Sequence, residues 1–100
     1  MRQVMVRYKV KPDRAEENEQ LVRAVYEELE QTAPEGLRYA TFRLEDGVSF
    51  VHLAVVEDGQ NPFAEVKAFA EFQKDVRERC EEMPVVTALD EVGSFRLFGD

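Results

Sequence analysis

The chain has 100 residues, of which 34% are charged, and its formal net charge at pH 7 is -8. This acidic balance repels nucleic acid and anionic membranes, and no Lys/Arg cluster overrides it, so we expect neither partner. No apolar run approaches the ~20 residues of a membrane span, and no signal-peptide core follows Met1. Cys80 is the only cysteine, which excludes an intrachain disulfide. These features predict one cytoplasmic domain over residues 1–100.

The first third of the chain predicts a strand and then a helix. Residues 3–11 alternate in the manner of a β-strand, with one side formed by Val4, Val6, Tyr8 and Val10. Pro12 ends this strand, and Asp13 is expected to cap the helix with Glu16 as its capping-box partner. The inward stripe of the helix is expected to carry Val22, Val25 and Leu29, flanked by Leu21 and Tyr26.

Residues 37–56 predict the central element, a β-hairpin that turns on Asp46-Gly47. Asp-Gly between alternating apolar runs favours a two-residue type I′ turn, in which both central residues have positive φ. The resulting register places Thr41 opposite His52. One face of the hairpin is almost wholly apolar, with Ala40, Phe42, Leu44, Val51, Leu53 and Val55. The other face is mixed, with Tyr39, Thr41, Arg43, Phe50, His52 and Val56.

After the hairpin, the pattern predicts a second helix and a last strand. Asn61-Pro62 is a favourable helix start, although residues 63–67 could equally form a separate turn before the main helix. Met83-Pro84 is expected to end this helix, whose apolar stripe comprises Phe63, Val66, Phe69, Phe72, Val76 and Cys80. Residues 85–98 predict the last strand, with a bulge or bend at Gly93.

The order strand, helix, strand, strand, helix, strand predicts an α+β fold. It is typical of a ferredoxin-like βαββαβ antiparallel sheet with both helices on one face. We assign the helices to the mixed face of the hairpin. Its apolar face is then bare, and a second copy of the same sheet would cover it by a self-complementary contact. We therefore expect a homodimer.

The chain resembles the antibiotic biosynthesis monooxygenases. The resemblance covers nearly the whole chain and rests on VRYKVKPDR before an acidic helix, on PEGLRYATFRLEDG and SFVHLAVVE, and on NPF followed by AFAEFQKDVRERC. It implies a dimeric α/β barrel with a pocket between the helices and the sheet of each subunit. Enzymes of this type oxidise small aromatic or quinol-type compounds, or haem. The positions where haem-degrading relatives carry Asn and Trp fall here at Val6 and Val56, so haem degradation is not expected.

Within this architecture, His52 is the predicted catalytic residue, because a histidine on a pocket wall can serve as a general base toward a phenolic proton. The predicted ligand-binding residues are Tyr8, Tyr39, Thr41, Arg43, Phe50, Phe69 and Phe72. The tyrosines would orient a phenol or quinone, Arg43 would stabilise an oxyanion, and the phenylalanines would form apolar walls. Each has a structural alternative: a hydrogen-bonded core histidine, packing aromatic rings, and a solvated arginine. No metal-binding or nucleotide-binding motif occurs, so we expect neither a metal nor an organic cofactor.

Three hypotheses for the function follow. The protein is a cofactor-independent monooxygenase acting on a small phenolic, quinol or polyketide-like aromatic compound; or a non-catalytic dimeric module that binds a small ligand; or a structural or interaction domain with a filled cleft. An open cavity beside His52 would favour the first two hypotheses. A cleft filled by Phe50, Phe69 and Phe72 would favour the third.

Overall fold

The computed structural model describes residues 1–97, and its strands form a single antiparallel sheet in the order β2-β3-β1-β4. The elements in chain order are β1 (Arg2–Val10), α1 (Ala15–Thr32), β2 (Leu37–Arg43), β3 (Ser49–Val56), α2 (Lys67–Lys74), α3 (Val76–Arg79) and β4 (Cys80–Ala88). This is the ferredoxin-like arrangement predicted from the sequence. No helix in residues 1–97 is both long enough and apolar enough to span a membrane.

The predicted register of the hairpin is confirmed, with Thr41 paired to His52 and Arg43 to Phe50. The helices cover the mixed face, as expected. Their inward residues pack there against β1 and β3 in a core that includes Tyr8, Val10, Val22, Val25, Phe50, Val66 and Phe72. None of the helices in residues 1–97 lies on the opposite face. On that face, which we call the open sheet face, Phe42 is 42% exposed and Val85 of β4 is 62% exposed.

The predicted type I′ turn is wrong. Gly47 has a φ of +79°, but Asp46 is not among the residues with positive φ. The loop spans residues 45–48 and is closed by a hydrogen bond from the Gly47 amide to the Leu44 carbonyl (3.0 Å). The Asp46 carboxylate accepts hydrogen bonds from the Ser49 hydroxyl (2.6 Å) and from the amides of Val48 and Ser49 (3.0 and 2.9 Å). These bonds lower the pKa of Asp46 to about 2. Asp-Gly therefore specifies this turn through a capping side chain and one left-handed residue.

The predicted start of the first helix is also wrong. Pro12–Arg14 form a 3-10 turn, so α1 begins at Ala15. The capping position is Arg14, which makes no side-chain cap, and the expected capping box of Asp13 and Glu16 does not form. The Arg14 guanidinium instead pairs with Glu17 at 2.6 Å.

Of the two alternatives for the second helix, the separate turn is confirmed. A turn over residues 62–65 precedes α2, which begins at Lys67. The Glu28 carboxylate of α1 accepts hydrogen bonds from the amides of Lys67 and Ala68 (3.0 and 2.9 Å), so α1 supplies the cap of α2. Asp75 then departs from helical geometry (φ -119°, ψ 24°) and separates α2 from α3.

The last strand begins earlier than predicted. Met83-Pro84 does not end a helix but lies inside β4, which runs from Cys80 to Ala88. The pairing with β1 shifts between Arg7 and Lys9, opposite this dipeptide, so the proline that cannot donate a ladder hydrogen bond falls at a bulge of an edge strand. The irregularity predicted at Gly93 is wrong, since residues 89–97 lie beyond β4, and Phe98 lies outside the described residues.

Candidate functional site

His52 lies at the centre of a buried chain of hydrogen bonds. Its Nε2 atom is 2.8 Å from the Tyr8 hydroxyl, and its Nδ1 atom is 2.6 Å from the Tyr39 hydroxyl and 3.0 Å from the Thr41 hydroxyl. The side chain is 5% exposed. Burial lowers the pKa of His52 to about 4, so the imidazole is neutral at pH 7. The three contacts with Tyr8, Tyr39 and Thr41 thus engage both nitrogens of this neutral ring.

The chain of hydrogen bonds continues from Tyr8 to a buried arginine. The Asn18 amide of α1 donates to the Tyr8 hydroxyl (2.9 Å), and Nε of Arg79 in α3 donates to Oδ1 of Asn18 (3.1 Å). Nη2 of Arg79 donates to the Phe72 carbonyl (2.7 Å), and the guanidinium lies 5.1 Å from the Phe72 ring centroid. Arg79 is only 1% exposed, and no carboxylate of residues 1–97 pairs with it. A buried cation held only by neutral acceptors is costly, which makes Arg79 a candidate functional residue.

The space directly beside His52 is filled by aromatic rings. The Phe72 ring centroid is 5.6 Å from that of His52, and the Tyr8 ring stacks on Phe50 at 5.6 Å. Phe69 stacks on Phe63 at 4.6 Å. Tyr8, Phe69 and Phe72, three of the predicted ligand-binding residues, are therefore packing residues of the core in this structure. A filled space beside His52 is the outcome that favours a structural or interaction domain, so a ligand site has to lie elsewhere.

Open space lies instead along the groove between α1 and β2, which is one of the two edge strands of the sheet. Tyr26 divides the groove in two, since its hydroxyl is 2.7 Å from that of Thr41 and its ring stacks on Tyr39 with centroids 5.2 Å apart. The part that we call the Tyr39 cleft has a volume of about 210 Å³ and is lined by Tyr26, Tyr39, Leu29, Glu30, Ala33, Pro34 and Leu37. The part that we call the Thr41 cleft has a volume of about 220 Å³ and is lined by Tyr26, Thr41, Glu19, Val22, Arg23, Arg43 and Phe50.

The charge of Arg43 at the Thr41 cleft is already compensated. Its Nη1 atom is 2.8 Å from Glu19 and 3.0 Å from Glu16, two carboxylates of α1, and its Nε donates to the Gly47 carbonyl (2.8 Å). Hydrogen bonds from Arg43 and Arg23 lower the pKa of Glu19. Arg43 thus ties β2 to α1, and the positive charge that it offers to a ligand oxyanion is reduced.

Tyr39 and Thr41 join the buried chain to the groove. Tyr39 contacts Nδ1 of His52 and lines one cleft, whereas Thr41 contacts the same atom and lines the other. Burial raises the pKa of Tyr39 above its ordinary value, so its hydroxyl remains protonated at neutral pH. His52 lines neither cleft, and it reaches a bound molecule only through these two hydroxyls.

Sequence reasoning missed Asn18, Tyr26 and Arg79 as site residues. Asn18 falls on the same helical stripe as Val22 and Val25, so a polar residue at a core position was visible in the sequence. Tyr26 was assigned only to the flank of that stripe. Nothing in the one-dimensional pattern pairs Asn18 with Arg79, which lies 61 positions further along the chain. Within residues 1–97, no group of three His, Cys, Asp or Glu side chains is placed to hold a metal ion.

No protein-family model matches this sequence, and no curated protein matches it. Solved structures match it in fold. Rv0793 from Mycobacterium tuberculosis, 18% identical, superposes with a TM-score of 0.75 over 93% of this chain and 96% of that chain. A provisionally named antibiotic biosynthesis monooxygenase from Nitrosomonas europaea, also 18% identical, gives 0.76 over 93% and 100%. Another, from Caulobacter crescentus CB15, is 22% identical and gives 0.71 over 92% and 90%.

The chain has the fold of the antibiotic biosynthesis monooxygenases. The resemblance predicted from the sequence is thereby confirmed in its architecture, a four-stranded antiparallel sheet with its helices on one face. At these identities the likeness is one of fold, because a shared fold hosts different activities. The chemistry of this protein has to be argued from its own groove and its own hydrogen-bond chain.

Proposed function

We propose that this protein binds a small phenolic, quinol or polyketide-like aromatic compound in the groove between α1 and β2 and oxidises it with O2 without a cofactor. The observation that carries the proposal is the Tyr39 hydroxyl, which lines the Tyr39 cleft and lies 2.6 Å from Nδ1 of the buried His52. This arrangement supports hydrogen-bond donation to a ligand oxygen at an apolar wall. The fold shared with provisionally named monooxygenases agrees with it.

In the proposed reaction, the substrate ring supplies the four electrons and the two hydrogens with which O2 is reduced. One oxygen atom becomes bonded to a ring carbon, and the other leaves as water with both hydrogens, including the proton that the ring loses first. The protein has to stabilise the negative charge that develops on the substrate oxygen and to exclude water from the ring. The Tyr39 hydroxyl is proposed to stabilise that charge, and His52 to hold Tyr39 in place. A direct role of His52 as the base, as predicted from the sequence, requires Tyr39 to move away from Nδ1 and requires Nδ1 to carry no hydrogen.

A second candidate function is binding without catalysis. It is favoured by the low pKa of His52 and by the engagement of both its ring nitrogens, which keep the imidazole from acting as a base toward a ligand in the groove. In that case Tyr39 and Thr41 satisfy a polar group of a ligand and no oxygen is consumed.

Oxygen uptake separates the two candidates. The wild-type chain is incubated aerobically with a panel of quinols and anthrones and compared with Tyr39→Phe, which removes one hydroxyl and keeps the ring. Loss of one donor to a developing oxyanion is expected to lower the catalysed rate about 100-fold. Thr87→Val, which removes an exposed hydroxyl of β4 far from the groove, is expected to match the wild type. Equal rates in wild type and Tyr39→Phe would refute the role of Tyr39, and binding without oxygen uptake would favour the second candidate.

We also propose that the functional unit is a homodimer in which two open sheet faces pack together. Phe42 and Val85 are exposed on this face, where Val51, Leu53 and Val55 are partly buried. Burial of an apolar side chain stabilises by about 1.5–3 kcal/mol, so a self-complementary contact across this face outweighs ordinary association costs. The helices and the groove remain accessible in this arrangement, because they lie on the other side of the sheet.

A further inference from the structure

Arg79 sets the orientation of the Asn18 amide. A guanidinium has only donors, so the Asn18 atom that lies 3.1 Å from Nε of Arg79 is the amide oxygen. The amide nitrogen therefore points the other way and donates to the Tyr8 hydroxyl at 2.9 Å. The chain of hydrogen bonds thus starts at a fixed positive charge, and its first two steps run in one direction, from Arg79 through Asn18 to Tyr8.

The direction of the next step follows from counting hydrogens at Tyr8. Tyr8 as a whole is only 3% exposed. Its hydroxyl contacts two groups, the Asn18 amide and Nε2 of His52. If Nε2 carried a hydrogen, the hydroxyl hydrogen of Tyr8 would be buried without an acceptor, which is unfavourable. Tyr8 therefore donates to Nε2. Because the ring is neutral, its own hydrogen lies on Nδ1.

The direction is then transmitted to the groove. Nδ1 donates to Tyr39 or Thr41 and cannot accept from either. The hydroxyls of Tyr26, Tyr39 and Thr41 carry three hydrogens, but they can form at most two hydrogen bonds among themselves, through Thr41. At least one hydroxyl hydrogen is therefore directed out of this cluster. Where Thr41 donates to one of the tyrosines, the outward hydrogen belongs to a tyrosine, and both tyrosines line the Tyr39 cleft. In this arrangement that cleft presents a hydrogen-bond donor.

We propose that the Tyr39 cleft selects ligands that offer an uncharged acceptor oxygen, a ketone or quinone carbonyl, and that Asn18 and Arg79 are the positioning residues for this selection. The inference rests on the proposed function in one respect, that a ligand occupies the groove. The walls of the cleft are otherwise apolar, apart from Glu30, and no Lys or Arg lines it, so an anionic ligand gains no partner there. Its volume of about 210 Å³ admits one ring of a ligand, since whole drug-sized ligands occupy pockets of about 300–1,000 Å³.

The first test is the position of the ring hydrogen of His52, which long-range 1H–15N NMR resolves directly because the chain has one histidine. We expect the hydrogen on Nδ1 in the wild type. In Asn18→Asp, the carboxylate accepts from both Arg79 and Tyr8, so Tyr8 turns its hydrogen toward residue 18 and the ring hydrogen moves to Nε2. Asn61→Asp, an exposed matched change, is expected to leave the tautomer unchanged. A hydrogen on Nε2 in the wild type would overturn the inference without using any variant.

The second test is ligand preference, measured by NMR titration of the full chain with acetophenone, ethylbenzene and benzoate. Acetophenone is expected to bind about five-fold more tightly than ethylbenzene, because one net hydrogen bond changes the Kd by about that factor. It is also expected to bind more tightly than benzoate. Asn18→Asp is expected to remove the preference over ethylbenzene. If acetophenone and ethylbenzene shift the groove resonances with equal affinity, or if benzoate binds best, the inference is wrong and the proposed function stands. If none of the three shifts groove resonances, the inference and the assignment of the groove as the ligand site fail together.

Discussion

The Tyr8 hydroxyl lies 2.8 Å from Nε2 of His52 and accepts a hydrogen bond from the Asn18 amide across 2.9 Å. This pairing provides hydrogen-bond partners for a histidine whose pKa is lowered by burial. It also explains how a polar chain persists in an aromatic core, since no buried side-chain nitrogen or oxygen of residues 1–97 lacks a partner. Because this chain of hydrogen bonds ends at hydroxyls in the groove, substitutions deep in the core are expected to change the binding of a ligand there.

The stability of the fold is predicted to decrease as the pH falls from 6.5 to 5. Burial lowers the pKa of His52 from 6.5 to about 4, so in this interval the unfolded chain binds a proton at His52 and the folded chain does not. The free energy of unfolding therefore rises with pH between pH 5 and pH 6.5, and it falls when the solution is acidified across this interval. The slope approaches 1.36 kcal/mol per pH unit only below pH 6, because the unfolded imidazole is half protonated at pH 6.5, so the loss over this interval is between about 1 and 2 kcal/mol.

Urea unfolding followed by circular dichroism at pH 6.5 and at pH 5 measures this difference. The interval lies above the region in which Glu17 and Glu19 lose their contributions, since arginine hydrogen bonds lower their pKa values below 4.5. His52→Gln, which cannot titrate, is expected to lose the pH-dependent part while being less stable overall. The same slope in both proteins would contradict the assignment to His52.

Glu28 is predicted to stabilise the fold by capping a helix other than its own. Its carboxylate accepts hydrogen bonds from the Lys67 and Ala68 amides at the start of α2. Glu28→Ala leaves both amides without this partner and is expected to cost about 1 kcal/mol in the free energy of unfolding, the usual value of a lost cap. Glu28→Gln keeps an acceptor oxygen and is expected to lose less. Equal losses in the two variants, measured by urea unfolding, would show that the charge rather than the cap is what matters.

The proposed dimer is predicted to dissociate when a charge is placed on the open sheet face. Leu53→Lys introduces an ammonium at the centre of this face, opposite Met5 of β1 and Ala40 of β2. Since an unpaired charge in an apolar interface is strongly unfavourable, the variant is expected to sediment as a monomer at micromolar concentration. Ala70→Lys, on an exposed position of α2, is expected to remain dimeric. A wild-type chain that is itself monomeric at that concentration would refute the dimer.

Much of the fold could be read from the sequence because its signals are local. The alternation from Leu37 to Val56, the Asp46-Gly47 turn and the stripe through Val22 and Val25 each depend on neighbours within a few residues. One error fell where a tertiary contact overrides a local preference: Pro84 predicts a helix end, but in the fold it occupies a bulge in an edge strand. The errors at Asp13 and Asp46 are local, since a 3-10 turn and a side-chain cap compete with the predicted geometry within a few residues.

The candidate site divides in the same way. The sequence alone determined that Tyr39, Thr41 and His52 share one face of the sheet, because the side-chain period of a strand is two and the hairpin register follows from the loop between its strands. Only the tertiary structure decided that Asn18 and Arg79 complete the chain, that Phe72 fills the space beside His52, and that the open groove lies at the β2 edge. These facts depend on how α1, α2 and α3 pack over the sheet, and side-chain volumes and long-range hydrogen bonds leave no periodic trace in the order of the residues.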